Sequence, residues 1–504
     1  MASRTKNSIK NVIFSLGNQL VVLGLSFVNR TVFIYVLGVN YLGISGLFSD
    51  ILSMLSLADL GFGVALTYSM YKPLAKHDYK RLAGLTNLYK QVYSIIAVAV
   101  SFIGISLIPF LKYIVRLDHN IPNLNLYYLL FLANTVASYL VVYKTSILTA
   151  DQKDYILQKY RSIFSILQTI FVTLFLWVTK NYTIYLIIQV LFTYLQNFYC
   201  SYIAEKHYPF IKQKVKLPFK EVRQIFKNLY SVFLYKISGV LLNATDNTLI
   251  SVLVGTKMVG FYSNYSMITL NATNLINTVF YSLTASLGNL VVKEKAHRRY
   301  EVFKMMQSVS IILSSICVSG FALLIQDFIR IWIGKGFVLN ELTLIAIICN
   351  FYLGIVLLPI WVFREATGLY QQTKYVMVLT AIINLILSII LGKIIGIAGV
   401  LFASAIARLT TYFWYEPVLL FKEYFNESSW IYFKGIIESL FFTFLLITVE
   451  YLTIGKFTPN TWGSLLIKIV IIAIFSSSAI IAIYWRSPGI RLLLKKFKSF
   501  RNGI

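Results

Sequence analysis

From Asn11 to Gly43 the chain reads NVIFSLGNQLVVLGLSFVNRTVFIYVLGVNYLG. This apolar run exceeds the ~20 residues a helix needs to cross a bilayer. Yet it carries Asn18, Gln19, Ser26, Asn29 and Arg30. An arginine at membrane depth costs about 2.5–3.5 kcal/mol on insertion scales, so Arg30 needs a partner or a task. A run of the same design extends from Asn228 to Gly260, at an offset of 217 (Gly38 to Gly255, Gly43 to Gly260). Under that offset Gln19 meets Lys236, Ser26 meets Asn243, and Asn29-Arg30 meets Asp246-Asn247. The chain therefore reads as two related halves that begin with the same kind of helix.

The remaining sequence supports the membrane reading. Of 504 residues, 58% are hydrophobic and 13% charged, against about 25% charged in a soluble domain. The apolar runs are continuous and do not alternate, which argues against a transmembrane β-barrel. The class is an all-α integral membrane protein. The polar head MASRTKNSIK runs straight into the first span without a small-residue cleavage site, so no cleaved signal peptide is expected. The net charge of +27 fits a cytoplasmic excess of cations against anionic lipid rather than nucleic-acid binding. Cys200, Cys317 and Cys349 sit in apolar stretches without disulfide or zinc spacing, and the four histidines share no ligand spacing, so no metal and no cofactor is expected. There is no P-loop and no H-E-x-x-H, so the chain does not read as an enzyme.

About fourteen spans satisfy the length criterion, at 11–37, 44–70, 83–111, 125–149, 155–178, 183–204, 227–254, 259–291, 302–324, 342–363, 374–392, 396–420, 430–453 and 462–485. Cations cluster in the head, after the second, sixth and eighth spans, around the fourth-to-fifth junction, and in the tail; the alternate loops are poor in them. That asymmetry places both termini in the cytoplasm. The connector KHYPFIKQKVKLPFKEVRQIF reads as a basic amphipathic helix on the inner leaflet, and 325–340 as a similar segment on the outer face.

YKTSILTADQKDY (Tyr143–Tyr155) recurs in outline as FREATGLYQQTKY (Phe363–Tyr375), Lys144 meeting Arg364. Two parallel six-span repeats follow, a plan used by transporters. The organisation is an N-lobe at 1–204, a cytoplasmic connector at 205–226, a C-lobe at 227–422, and two further spans with a basic tail at 423–504.

The candidate chemistry lies on helix faces. Gln19, Ser26, Asn29 and Arg30 recur at i, i+7, i+10 and i+11, along one side of a helix. Lys236, Asn243, Asp246 and Asn247 repeat the stripe. Facing lobes would line a hydrated cavity with these groups; pairing as interhelical glue is the alternative. Asp50 and Asp59 lie in the second span and suit either ion pairing or a proton or sodium site, as do Asp246 and Glu365. Asn264, Asn271, Asn274 and Asn277 offer amides to sugar hydroxyls or to neighbouring helices. Lys144 and Arg364 stand near the cytoplasmic rim, where they could meet a phosphate head group or simply snorkel.

LADLGFG with YKPLAKHD (Leu57–Asp78), LTADQKDY (Leu148–Tyr155), REATGLYQQTKY (Arg364–Tyr375) and the six-plus-six-plus-two plan together resemble the Wzx-type polysaccharide flippases of the multidrug/oligosaccharidyl-lipid/polysaccharide exporter superfamily. The resemblance spans essentially the whole chain. It implies two six-helix lobes around a cavity that opens alternately to either side. It also implies a substrate of undecaprenyl-pyrophosphate-linked oligosaccharide (an O-antigen or capsule repeat unit), moved to the outer leaflet of the bacterial cytoplasmic membrane. Arg30 and Lys236, with Asn29, Asn243, Asn247, Lys144 and Arg364, would hold the head group. Expected partners are anionic lipids, H+ or Na+ as a coupling ion, and polysaccharide polymerase and chain-length proteins. A drug antiporter or a lipid II flippase would share this architecture, whereas a glycan polymerase or ligase would usually carry a large extracytoplasmic loop.

Overall fold

The computed structural model describes residues 17, 21, 23–56, 62–116, 121–151 and 153–501. Among them the regular elements are all helical and none is a strand. The chain divides into two compact units, Met1–Ser263 and Asn264–Ile504. The first holds α1 (Leu23–Leu37), α2 (Val39–Leu55), α3 (Phe62–Ala75), α4 (Tyr79–Ser106), α5 (Leu111–Ile114), α6 (Leu124–Tyr139), α7 (Val142–Ala150), α8 (Asp154–Thr179), α9 (Tyr182–His207), α10 (Phe219–Ala244) and α11 (Asp246–Leu253). Helix α12 (Thr256–Tyr281) begins in the first unit and continues into the second. There follow α13 (Thr284–Lys293), α14 (Ala296–Trp332), α15 (Glu341–Val356), α16 (Leu358–Thr367), α17 (Tyr370–Ile395), α18 (Ile397–Thr410), α19 (Tyr412–Leu420), α20 (Trp430–Thr453), α21 (Trp462–Tyr484) and α22 (Pro488–Arg501).

Among the described residues, eight helical stretches are long and apolar enough to cross a membrane, or ten if two bent pairs each count as one span. Of the expected segments, 183–204 and 227–254 carry helices that do not meet that test, and 11–37 and 44–70 lie partly outside the described residues. The bent pairs are α6–α7, at 47°, and α15–α16, at 41°. They fall at matching places in the two repeats. Pro359, at the start of α16, has no N–H to continue the ladder from α15, which explains the second bend. Outward faces are apolar, as lipid requires: on α4, Ile95, Val98 and Phe102 are each at least 70% exposed.

Glycines set the breaks. Gly38 ends α1 with φ +84° and Gly255 precedes α12 with φ +132°, conformations that side-chain-bearing residues seldom adopt. These are the two glycines that the 217-residue offset aligns.

The second unit is built on α14. Ser310, Ser314, Ser315 and Ser319 are all fully buried on it, and small residues let neighbouring helices come close. Ser315 and Thr443 of α20 hydrogen-bond at 2.7 Å. The carboxylate of Glu450 on α20 accepts from Ser476 of α21 at 2.6 Å and from Ser319. Asp327 on α14 pairs with Lys468 of α21 at 2.7 Å and with Arg330, one turn along, at 2.7 Å. Asp327 and Lys468 are both buried, so each satisfies a charge that hydrocarbon cannot.

Two expected interfacial helices take another form. The connector is not a helix at its centre: α9 continues to His207, a 3-10 turn covers Pro209–Lys212, and residues 213–218 form no regular element before α10 begins at Phe219, Val215 N–H turning back to the Gln213 carbonyl at 3.1 Å. At 325–340, α14 itself continues to Trp332, because Asp327, Ile329 and Trp332 are buried in the unit and hold the helix together.

Candidate functional site

The first unit places the leading polar stripe against helices far away in sequence. Arg30 of α1 donates from Nη2 to Ser263 Oγ at 2.8 Å, and Ser263 donates to the Gly260 carbonyl at 2.8 Å. One hydroxyl proton then serves Gly260, and its lone pairs receive the guanidinium. Next to it, Asn29 donates from Nδ2 to the Tyr185 hydroxyl at 3.0 Å, while its side-chain oxygen is buried without a hydrogen-bond partner. Tyr185 belongs to a ring cluster: Phe33 lies edge-on at 5.2 Å, Tyr182 at 5.9 Å, and Tyr182 meets Tyr127 at 4.7 Å.

Asp50 of α2 lies beside Asn247, whose side-chain amide and backbone N–H are its polar neighbours. Asn247 is the second residue of α11. Amides there have no intrahelical acceptor, and the helix end is partly positive, so a carboxylate from α2 fits the end of α11. Asp246 is the first residue of α11. The Asn247 side-chain oxygen is buried without a hydrogen-bond partner. Lys236, half-buried on α10, makes no ion pair among the described residues. Asp59, Gln19 and the side chain of Asn243 lie outside the described residues.

Above this polar group, α2 crosses the start of α12 backbone to backbone. A Cβ on Gly43 would lie 2.1 Å from the Thr256 carbonyl oxygen, and one on Gly260 would lie 2.5 Å from the Val39 carbonyl oxygen. Val39 and Thr256 are themselves 217 apart (39 to 256), so the crossing is reciprocal, as a two-fold contact requires. The Arg116 backbone fastens it: Thr256 N–H donates to the Arg116 carbonyl at 2.8 Å, and Arg116 N–H donates to Thr256 Oγ1 at 2.8 Å.

The two rim cations each meet a glutamate. Lys144 of α7 pairs with Glu205 of α9 at 2.5 Å, with Lys212 on the other oxygen at 3.1 Å. In the second unit Arg364 of α16 reaches both oxygens of Glu416 of α19, at 2.9 and 3.1 Å, and both residues are buried. Glu365 lies near Tyr370, whose ring also faces the Arg364 guanidinium at 5.7 Å. A second matched pair surrounds them. Tyr208 donates to Asp151 at 2.6 Å, Tyr424 lies beside Thr367, and both partners stand at an offset of 216 (208 to 424, 151 to 367). Asn264 is fully buried, and Asn271 bonds its own helix at Met267.

Sequence reasoning missed Tyr185, Ser263, Glu205 and Tyr208 as partners. The one available signal was place: Glu205 and Tyr208, like Glu416 and Tyr424, stand where the sixth span of each half ends.

The family model described as polysaccharide biosynthesis protein matches residues 8–283, more than half of the chain. The chain belongs to that family. No curated protein matches its sequence. Three solved structures show which fold this polysaccharide biosynthesis protein shares. The lipid II flippase MurJ in an inward closed conformation has a TM-score of 0.70 at 18% identity, covering 94% of this chain and 98% of MurJ. An inward-facing multidrug resistance MATE family transporter has a TM-score of 0.60 at 13% identity, covering 80% and 97%. A point mutant of the Vibrio cholerae MATE transporter VcmN has a TM-score of 0.62 at 15% identity, covering 86% and 99%. The fold of this family member is thus an all-α, multi-pass membrane fold shared with a flippase and with transporters.

Proposed function

We propose that this protein flips an undecaprenyl-pyrophosphate-linked oligosaccharide repeat unit from the inner to the outer leaflet of the bacterial cytoplasmic membrane, by alternating access. A sugar–pyrophosphate head cannot cross hydrocarbon unaided, whereas its polyprenyl tail can stay in lipid. The observation that carries this reading is cationic: Lys236 lies half-buried without an ion pair among the described residues, and Arg30 stands on the leading helix of the first half, donating to Ser263. Both cations suit a pyrophosphate, and the amides of Asn29 and Asn247 suit sugar hydroxyls. Lys144 and Arg364 contribute differently, because their charges are matched by Glu205 and Glu416. They hold the bent half-helices and act on the head group only once those pairs open. The glycine crossing closes the extracytoplasmic side, with both termini in the cytoplasm. The product feeds polysaccharide polymerase and chain-length proteins.

The test is surface glycan export by Arg30→Ala, Lys236→Ala and the double variant, with membrane levels measured in parallel. Export should be lost while the protein is still inserted. Full export by all three would overturn the assignment.

A second reading, an ion-coupled drug antiporter, is favoured by Asp50, a carboxylate among apolar helices beside Asn247. Drug efflux from energised vesicles that Asp50→Asn abolishes would select it.

A further inference from the structure

The connector has a shape that its sequence does not announce. Its central stretch lies along the start of α4 as a strap. Asn87 donates from Nδ2 to the carbonyls of Gln213, at 2.7 Å, and Val215, at 3.2 Å. The Leu217 side chain enters the notch at Gly84, where a Cβ would meet it at 2.8 Å. Arg81 closes the far end on Glu221 at 2.6 Å. Val215 and Leu217 are partly covered by α4, and Lys214 and Lys216 are exposed.

The charges around the strap do not balance. Glu205 is taken by Lys144 and Lys212, Glu221 by Arg81, and Asp151 by Lys153 and Tyr208. Lys214, Lys216 and Lys220 are exposed, and so are Lys72, Lys76 and Lys80 on the neighbouring helix ends. Beside them Phe219 is 80% exposed. A soluble anion would account for the lysines but not for an aromatic ring standing in the open. A leaflet accounts for both, since lysines near an anionic surface gain about 1 kcal/mol each and aromatic side chains settle at head-group level.

We infer that the strap Gln213–Lys220 is a docking surface for the anionic phospholipid head groups of the cytoplasmic leaflet, with Lys214, Lys216 and Lys220 on the phosphates and Phe219 in the interface. Because Asn87 and Gly84 fix the strap, its cations are arranged before lipid arrives, which lowers the ordering cost of binding. This holds whatever the protein carries.

The test is hydrogen exchange of the strap amides in the full-length protein. It compares nanodiscs of phosphatidylcholine with nanodiscs that also contain phosphatidylglycerol. Exchange over Lys214–Lys220 should slow by about tenfold in the anionic discs. Lys214→Gln/Lys216→Gln/Lys220→Gln should abolish the difference, and Phe219→Ser should reduce it. Equal exchange in both discs overturns the inference. So does protection by inorganic pyrophosphate in phosphatidylcholine discs without protection by phosphatidylglycerol, which would give the lysines to a transported head group.

Discussion

Gly43 and Thr256 meet without a side chain between them: a Cβ at Gly43 would stand 2.1 Å from the Thr256 carbonyl oxygen. Gly260 repeats the relationship with Val39 at 2.5 Å. Two helices can approach this closely only where glycine forms one side of each contact. Gly43→Val and Gly260→Val should each therefore force the crossing apart and cost about 1–3 kcal/mol or more. Thermal unfolding in detergent measures the loss.

The two rim pairs should respond unequally. Arg364 and Glu416 have side-chain exposures of 8% and 2%, whereas Lys144 and Glu205 have 25% and 20%. Removing one partner of a buried pair leaves an uncompensated charge and costs about 3–5 kcal/mol. A solvated pair is worth about 0–1 kcal/mol. Glu416→Gln should destabilise the protein severely and Glu205→Gln only slightly, as chemical or thermal denaturation would read.

Glu205 also sets a pH dependence. Hydrogen bonds from Lys144, and then from Lys212, hold its carboxyl below the ordinary glutamate range. A depressed folded-state pKa gives stability that is present above the unfolded value of about 4.3 and is lost as pH falls through the folded value. The wild-type protein should lose a small increment of stability on acidification below that point. Glu205→Gln should lack that increment, while the remaining acid response stays the same.

Lys468 and Asp327 fasten α21 to α14 at 2.7 Å. Lys468→Met should cost about 3–5 kcal/mol, because Asp327 keeps only Arg330. The double variant Lys468→Met/Asp327→Asn should recover part of the loss, since no buried charge then lacks its partner. Melting temperatures of the two variants decide between them.

Much of this protein was legible from its apolar runs. They cannot be dissolved in water, so they fixed an all-helical membrane class, and the offset between Gly38 and Gly255 marked where both halves break. Matched polar positions also singled out Arg30 and Lys236, and a carboxylate inside an apolar run singled out Asp50. The connector was misread, because its alternating lysines and apolar residues suit a surface helix as well as a strap; Asn87 and Gly84 on α4 decided for the strap.

Partner choice was beyond the sequence. Periodicity tells which face of a helix a residue occupies, but not which helix lies opposite. Arg30 meets Ser263, Asp50 meets Asn247, and Arg364 meets Glu416 across long stretches of chain. Such pairs are set by how the helices pack, where an unpartnered buried charge costs more than any local preference. The sequence by itself placed glycine at positions 43 and 260 of matched apolar runs. Only the tertiary structure decided that the two meet, because a close backbone crossing belongs to two helices at once.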